Sequence, residues 1–132
     1  MLIIYDSLTG QGKKYAEKVA EKLGATALPI HQYLGGNETL FLISRCYNFG
    51  EVPETTLDFL DELRDTNNLT QLIGVSITGN QNWGENFGKA GYTIEKEYGI
   101  KYVHRFEFAG THRDVEATVN YLNYSTLNPN GF

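Results

Sequence analysis

The sequence predicts a three-layer α/β sandwich: a five-stranded parallel sheet in the order 2-1-3-4-5, with helices on both faces. Three observations predict it. Short, largely apolar runs at 2–5, 40–43 and 72–77 read as strands, the first two as buried ones without alternation of polar and apolar residues. Helical periodicity recurs between them, so strand and helix alternate along the chain. Glycine- and asparagine-rich segments follow the first, third and fourth strands, where a sheet of this kind places its ligand loops.

The first strand is residues 2–5, Leu-Ile-Ile-Tyr. The turn-rich segment Ser7-Leu8-Thr9-Gly10-Gln11-Gly12 follows it. A helix is expected over 13–23, because Ala16, Val19, Ala20 and Leu23 share one face, and Gly24 stops it. A weak second strand is expected at 27–30, then a loop around Asn37. The third strand, 40–43, leads into a long loop over 45–53. Pro53 suits the first turn of a helix, because the missing N–H costs nothing there, so the next helix is placed at 54–63.

The fourth strand is expected at 72–77, followed by the loop Thr78-Gly79-Asn80-Gln81-Asn82-Trp83-Gly84. A helix at 86–98 ends at Gly99, a fifth strand runs over 102–108, and the last helix occupies 114–124. The polar remainder, 125–132, reads as a flexible tail beyond a single domain at 1–124.

Bulk properties narrow the function. With 132 residues, 41% of them hydrophobic, the chain can fill one packed core. Its formal charge of −5 argues against nucleic acid or an anionic membrane as partner, since both call for basic patches. No apolar run approaches the length of a membrane span, and no basic segment precedes the first strand as in a signal peptide. A single cysteine, Cys46, excludes an internal disulfide and agrees with a reducing cytoplasm.

In the predicted strand order the loops after strands one, three and four converge on one crevice. The first offers the Ser7 and Thr9 hydroxyls, Gly10, Gly12 and a helix N-terminus, all suited to a phosphate. A locally capped strand-to-helix turn explains the same residues. The loop at 78–84 carries the lone tryptophan, Trp83, which either stacks on a flat heterocycle or anchors its own helix in the core. The middle loop carries Tyr47, Asn48, Phe49 and Gly50; it either serves the ligand or simply enters the helix, and Gly50 is free to adopt backbone angles closed to other residues. His31, His104 and His112 lack ligand spacing, so no metal site is expected, and His104 reads as structural. Cys46 reads as incidental.

These residues carry a resemblance. The chain resembles the NrdI family, small flavodoxin-like proteins associated with class Ib ribonucleotide reductases. The most specific stretches are Tyr5-Asp6-Ser7-Leu8-Thr9-Gly10, Asn48-Phe49-Gly50-Glu51-Val52-Pro53, and the run 79–91 that contains Asn82-Trp83-Gly84. The likeness extends through Thr93-Ile94, Glu97-Tyr98, Phe106-Glu107, Gly110-Thr111 and Asp114-Val115.

The resemblance implies FMN as cofactor. It implies Ser7, Leu8, Thr9, Gly10, Gln11 and Gly12 at the phosphate, Tyr47, Asn48, Phe49 and Gly50 on one side of the isoalloxazine, and Thr78, Gly79, Asn80, Trp83 and Gly84 on the other. No side chain is assigned a catalytic role, because the flavin carries the chemistry; Asn48, Phe49 and Gly50 are expected to tune its potential through a peptide that turns on reduction. The implied role is that of a redox accessory flavoprotein. Reduced by a partner of unknown identity, it passes superoxide to the radical-generating subunit NrdF, whose metal site is then oxidised. The alternative is a general flavodoxin that carries electrons between unrelated proteins. A phosphoacceptor domain of the same topology is disfavoured, because the third strand ends in Ser44-Arg45-Cys46 and not in an aspartate.

Two positions depart from the family pattern. Gln11 stands where Asn is usual, and Arg45-Cys46 stands where the strand normally enters a threonine- or glycine-rich loop. Arg45 is expected near the flavin or at the partner face; near the flavin, its charge would favour the anionic reduced form and raise the potential.

Overall fold

A computed structural model describes residues 1–46 and 50–127. It has the predicted order: five parallel strands arranged β2-β1-β3-β4-β5, with β1 at Leu2–Tyr5, β2 at Thr26–Pro29, β3 at Leu40–Arg45, β4 at Leu72–Gly79 and β5 at Tyr102–Glu107. The helices are α1 at Gln11–Leu23, α2 at Glu54–Asp65, α3 at Lys89–Tyr98 and α4 at His112–Leu127.

Strand alternation splits the core in two. In β1 and β3, Ile4, Leu40 and Leu42 point to the face covered by α2 and α3, where Phe59, Leu60, Leu63, Ala90 and Ile94 receive them. Ile3, Tyr5, Phe41 and Ile43 point the other way, onto Tyr15, Ala16 and Val19 of α1 and Val115, Val119 and Leu122 of α4. Both faces are dry, which is why these strands read as continuous apolar runs.

Tyr15 ties the second face together. Its ring stacks on Phe106 with centroids 3.7 Å apart. Its hydroxyl donates to the Asp114 carbonyl at 2.6 Å and therefore accepts from Thr118 Oγ1, also at 2.6 Å. Thr118 in turn accepts from Ser76 Oγ at 2.9 Å, so a buried relay of hydroxyls joins β4, α4 and α1.

The element ends differ from expectation for local reasons. β3 continues through Ser44 and Arg45, and β4 through Gly79, because Ser44 pairs with Ile77 and Arg45 with Thr78. Two short 3₁₀ turns span Gln81–Asn86 around a non-helical Gly84, and α3 starts only at Lys89, after Gly88 at φ 72°. α4 begins at His112, earlier than expected: the Thr111 hydroxyl accepts from the Asp114 amide at 3.2 Å, and the Asp114 carboxylate accepts from the Thr111 amide at 2.8 Å. It also runs to Leu127, so residues 125–127, expected in a flexible tail, are helical; 128–132 lie outside the described residues.

Candidate functional site

The sheet order brings the carboxyl ends of β1, β3 and β4 side by side, and a cleft of about 300 Å³ opens between the loops that leave them. That volume lies at the small end of the range for small-molecule sites.

The first wall is the loop after β1. Ser7, Leu8, Thr9, Gln11 and Gly12 line the cleft. Ser7 Oγ accepts from the Gly10 amide at 3.0 Å, closing the turn, and its own proton stays available to a ligand. Gly10 sits at φ 89° and admits the chain to α1, whose first turn holds no acidic side chain. Ser7 is thus used locally, as in a capped turn, while the helix N-terminus still faces the cleft with its positive end.

The opposite wall is the loop after β4, with Thr78, Gly79, Asn80 and Trp83. Asn80 organises it: its side-chain oxygen accepts from the Asn82 amide at 2.9 Å and its carbonyl accepts from the Trp83 amide at 3.0 Å. The indole is 45% exposed, so of its two readings the core anchor is excluded and the cleft wall is where it stands. A Cβ on Gly79 would lie 3.2 Å from the Phe87 ring and 3.4 Å from the indole, so this glycine lets both rings approach the strand end.

Between the walls lie Arg45 and Cys46 at the end of β3, with Asp6 one residue beyond β1. Asp6 is 5% exposed. Its Oδ2 accepts from the hydroxyls of Thr55 and Thr56, the latter at 2.7 Å. Because Thr56 donates to Asp6, it accepts from Ser44 Oγ, at 2.7 Å. Arg45 Nε lies 3.8 Å from Asp6 Oδ1, too far for a hydrogen bond, and is buried without an acceptor. The Cys46 thiol is 7% exposed, and burial pushes its pKa up, against the lowering influence of nearby backbone amides at the start of α3.

Tyr47, Asn48 and Phe49 lie outside the described residues. Gly10, Gly50 and Gly84 do not line the cleft; each holds a positive φ instead. Gly50, at φ 90°, packs so closely on α3 that a Cβ would stand 2.9 Å from Lys89 Cβ and 3.2 Å from the Asn86 carbonyl. Asp6 and Phe108 line the cleft without having been anticipated. Phe108 has φ 52° and is 54% exposed, and its carbonyl accepts from Thr78 Oγ1 at 2.6 Å. A non-glycine residue in the left-handed region carries no sequence signal of its own.

His104 lies away from the cleft, its Nε2 at 2.7 Å from Asp114 Oδ1, a structural partner as read from the sequence. Among the described residues no cluster of three or more His, Cys, Asp or Glu has the arrangement of a metal site. No described helix is long and apolar enough to cross a membrane.

The residues present suit a flat, phosphorylated ligand such as FMN. One wall offers a helix N-terminus and hydroxyls, the other an indole face, and a buried guanidinium nitrogen between them lacks an acceptor.

Comparison with known proteins agrees with this geometry. A family model described as NrdI flavodoxin-like matches residues 3–120. Protein NrdI of Bacillus licheniformis is 36% identical over 114 residues, covering 86% of this chain and 81% of its own length. Protein NrdI of Macrococcus caseolyticus is 34% identical over 116 residues, covering 88% and 84%. A short-chain flavodoxin associated with a PDU bacterial microcompartment superposes with a TM-score of 0.71 at 21% identity, covering 92% and 93% of the two chains. The flavodoxin of Fusobacterium nucleatum bound to flavin mononucleotide gives 0.66 at 16% identity, covering 96% of each.

Proposed function

The chain belongs to the NrdI flavodoxin-like family, and on that premise we propose that it is an FMN-containing activase of a class Ib ribonucleotide reductase. In its reduced form it supplies superoxide to the radical-generating subunit NrdF for assembly of that subunit's metal and radical cofactor. The observation that carries the cofactor reading is the cleft itself, where a phosphate-suited turn and a half-exposed indole face each other across the sheet edge.

When bound, FMN supplies the one- and two-electron redox chemistry, including reduction of dioxygen to superoxide. The chain supplies position and access. The Ser7 and Thr9 hydroxyls and the first turn of α1 would hold the phosphate. Trp83 would fix the ring plane by stacking, and Asn80 shapes the turn that carries it, its side-chain oxygen accepting from the Asn82 amide and its carbonyl from the Trp83 amide. The exposed Leu8, Trp83 and Phe108 around the mouth give the partner an apolar rim on an otherwise acidic protein. An interface of mixed polarity is the expected form for transient docking.

The test is radical assembly. The FMN-loaded chain, reduced and mixed with manganese-loaded NrdF under air, is expected to generate the NrdF radical by electron paramagnetic resonance and to bind NrdF in pull-down. A yellow, reducible protein that does neither would be a general electron carrier, and the activase role would be lost.

A further inference from the structure

Arg45 stands at the end of β3 on the strand face that meets α1. The alternation of β3 shows this: Phe41 and Ile43 belong to the core on the α1 side, and Arg45 follows Ile43 by two. Ile43 Cγ2 lies 3.7 Å from where a Gly12 Cβ would be, in the first turn of α1. Arg45 therefore projects from the strand one step beyond that contact, into the same cleft as Ser7, Thr9, Gln11 and Gly12.

Its charge is only partly answered. Among the described residues Asp6 is the one carboxylate paired with it, at 3.8 Å and without a hydrogen bond. The other oxygen of Asp6 is already taken by the Thr55 and Thr56 hydroxyls, which hold the carboxylate facing α2. Arg45 Nε is left buried and without an acceptor among the described residues, a costly arrangement unless an anion completes it. The turn beside it carries no competing negative charge: no acidic side chain occupies the first turn of α1.

We propose that Arg45 is a specificity-determining residue for the phosphate of the flavin, giving the site its preference for FMN over the uncharged riboflavin, with Asp6 as the counter-charge that limits this preference. The assignment rests on the FMN reading above and deepens it. A guanidinium presents several donors in a planar fork matched to phosphate oxygens, so an arginine here adds a charged contact to a cradle otherwise made of amides and hydroxyls. The two residues act with opposite signs. Removing Arg45 weakens FMN binding alone, whereas neutralising Asp6 frees the guanidinium and strengthens it.

The experiment titrates the flavin-free full-length chain and its Arg45→Gln, Arg45→Lys and Asp6→Asn variants with FMN and with riboflavin, following flavin fluorescence, with folding checked by circular dichroism. Arg45→Gln is expected to weaken FMN binding about tenfold or more while leaving riboflavin within about twofold, the size of one lost charged hydrogen bond. Arg45→Lys keeps the charge and holds an intermediate FMN-to-riboflavin ratio, and this variant decides the matter if the glutamine variant does not fold. Asp6→Asn is expected to raise that ratio above wild type.

A wild-type ratio in folded Arg45→Gln, or in Arg45→Lys an affinity lost equally for both flavins, would overturn the proposal while leaving FMN binding intact. So would equal losses of both flavins together with a lowered reduction potential, which would place the guanidinium at the ring. A wild-type chain that binds neither flavin would overturn the cofactor reading itself.

Discussion

Trp83 is the only tryptophan in the chain, and it stands at the cleft. Replacing it by alanine removes an aromatic wall and measures what that wall contributes. The indole is 45% exposed, which for a side chain of about 250 Å² leaves roughly 100 Å² open to a ligand. A flavin ring on one face would cover between half and all of that area, or about 1–2.5 kcal/mol at about 25 cal/mol per Å². Stacking adds about 0.5–1.5 kcal/mol beyond burial. The total, about 1.5–4 kcal/mol, corresponds to roughly 10- to 700-fold weaker FMN binding in Trp83→Ala. Trp83→Phe, which keeps a smaller face, is expected to lie between the two. The assay is built in: with a single indole, tryptophan fluorescence reports this wall alone, and FMN is expected to quench it stoichiometrically. A Trp83→Ala protein with wild-type FMN affinity, or a wild-type indole unquenched at saturation, would refute the stacking argument.

Further outcomes follow from the same structure. Tyr15→Phe removes the last hydroxyl of the Ser76–Thr118–Tyr15 relay, taking the acceptor from Thr118 and the donor from the Asp114 carbonyl; unfolding in urea is expected to show a loss of about 1–3 kcal/mol. Gly91→Ala would place a Cβ 2.3 Å from the Tyr102 ring, whose buried hydroxyl has no partner to relax toward, and overpacking of this kind costs about 1–3 kcal/mol in the same assay. The Asp114 carboxylate is raised by burial but lowered more by His104 and Thr111, so its folded pKa lies below the ordinary carboxylate value. A depressed folded pKa stabilises the protein above the unfolded value of about 4 and loses that contribution as pH falls through the folded value. Asp114→Asn is therefore expected to lower the urea midpoint at pH 6, with the gap to wild type narrowing as pH falls below the unfolded carboxylate value; a gap that stays constant through the acid range would refute the linkage. Cys46, buried and with a raised pKa, is expected to react with iodoacetamide at pH 8 far more slowly in the folded chain than in urea.

The sheet was legible because both of its faces are covered. Ile3-Ile4-Tyr5 and Leu40-Phe41-Leu42-Ile43 have no polar alternation to confuse them, and β1 matched its expected span to the residue. Glycines set two helix ends that were right, at Gly24 and Gly99, and one that was wrong. Gly88 delays α3 past the expected start, because a residue at φ 72° cannot continue a helix that Asn86 would begin. The cleft walls were legible as loops of distinctive composition, Ser7 to Gly12 and Thr78 to Trp83. The centre of the cleft was not. Asp6 is a lone acidic residue beside a strand, and its role depends on Thr55 and Thr56, about fifty residues away on α2. Phe108 reaches the rim through a backbone angle that its side chain does not advertise. Gly50 was expected beside the ligand for its freedom of conformation. Its positive φ is real, and with it goes a close approach to Lys89 and Asn86 that only the packed structure reveals.

The central claim is that the turns after β1, β3 and β4 enclose a flavin phosphate and its ring. Adding FMN to the folded, flavin-free chain tests it most directly, with absorbance and Trp83 fluorescence read together. The account predicts saturation at one FMN per chain, a shifted flavin spectrum that bleaches on anaerobic reduction, and quenching of the indole to the same end point. A chain that is fully folded by circular dichroism, yet leaves the FMN spectrum and the indole emission unchanged, would contradict it.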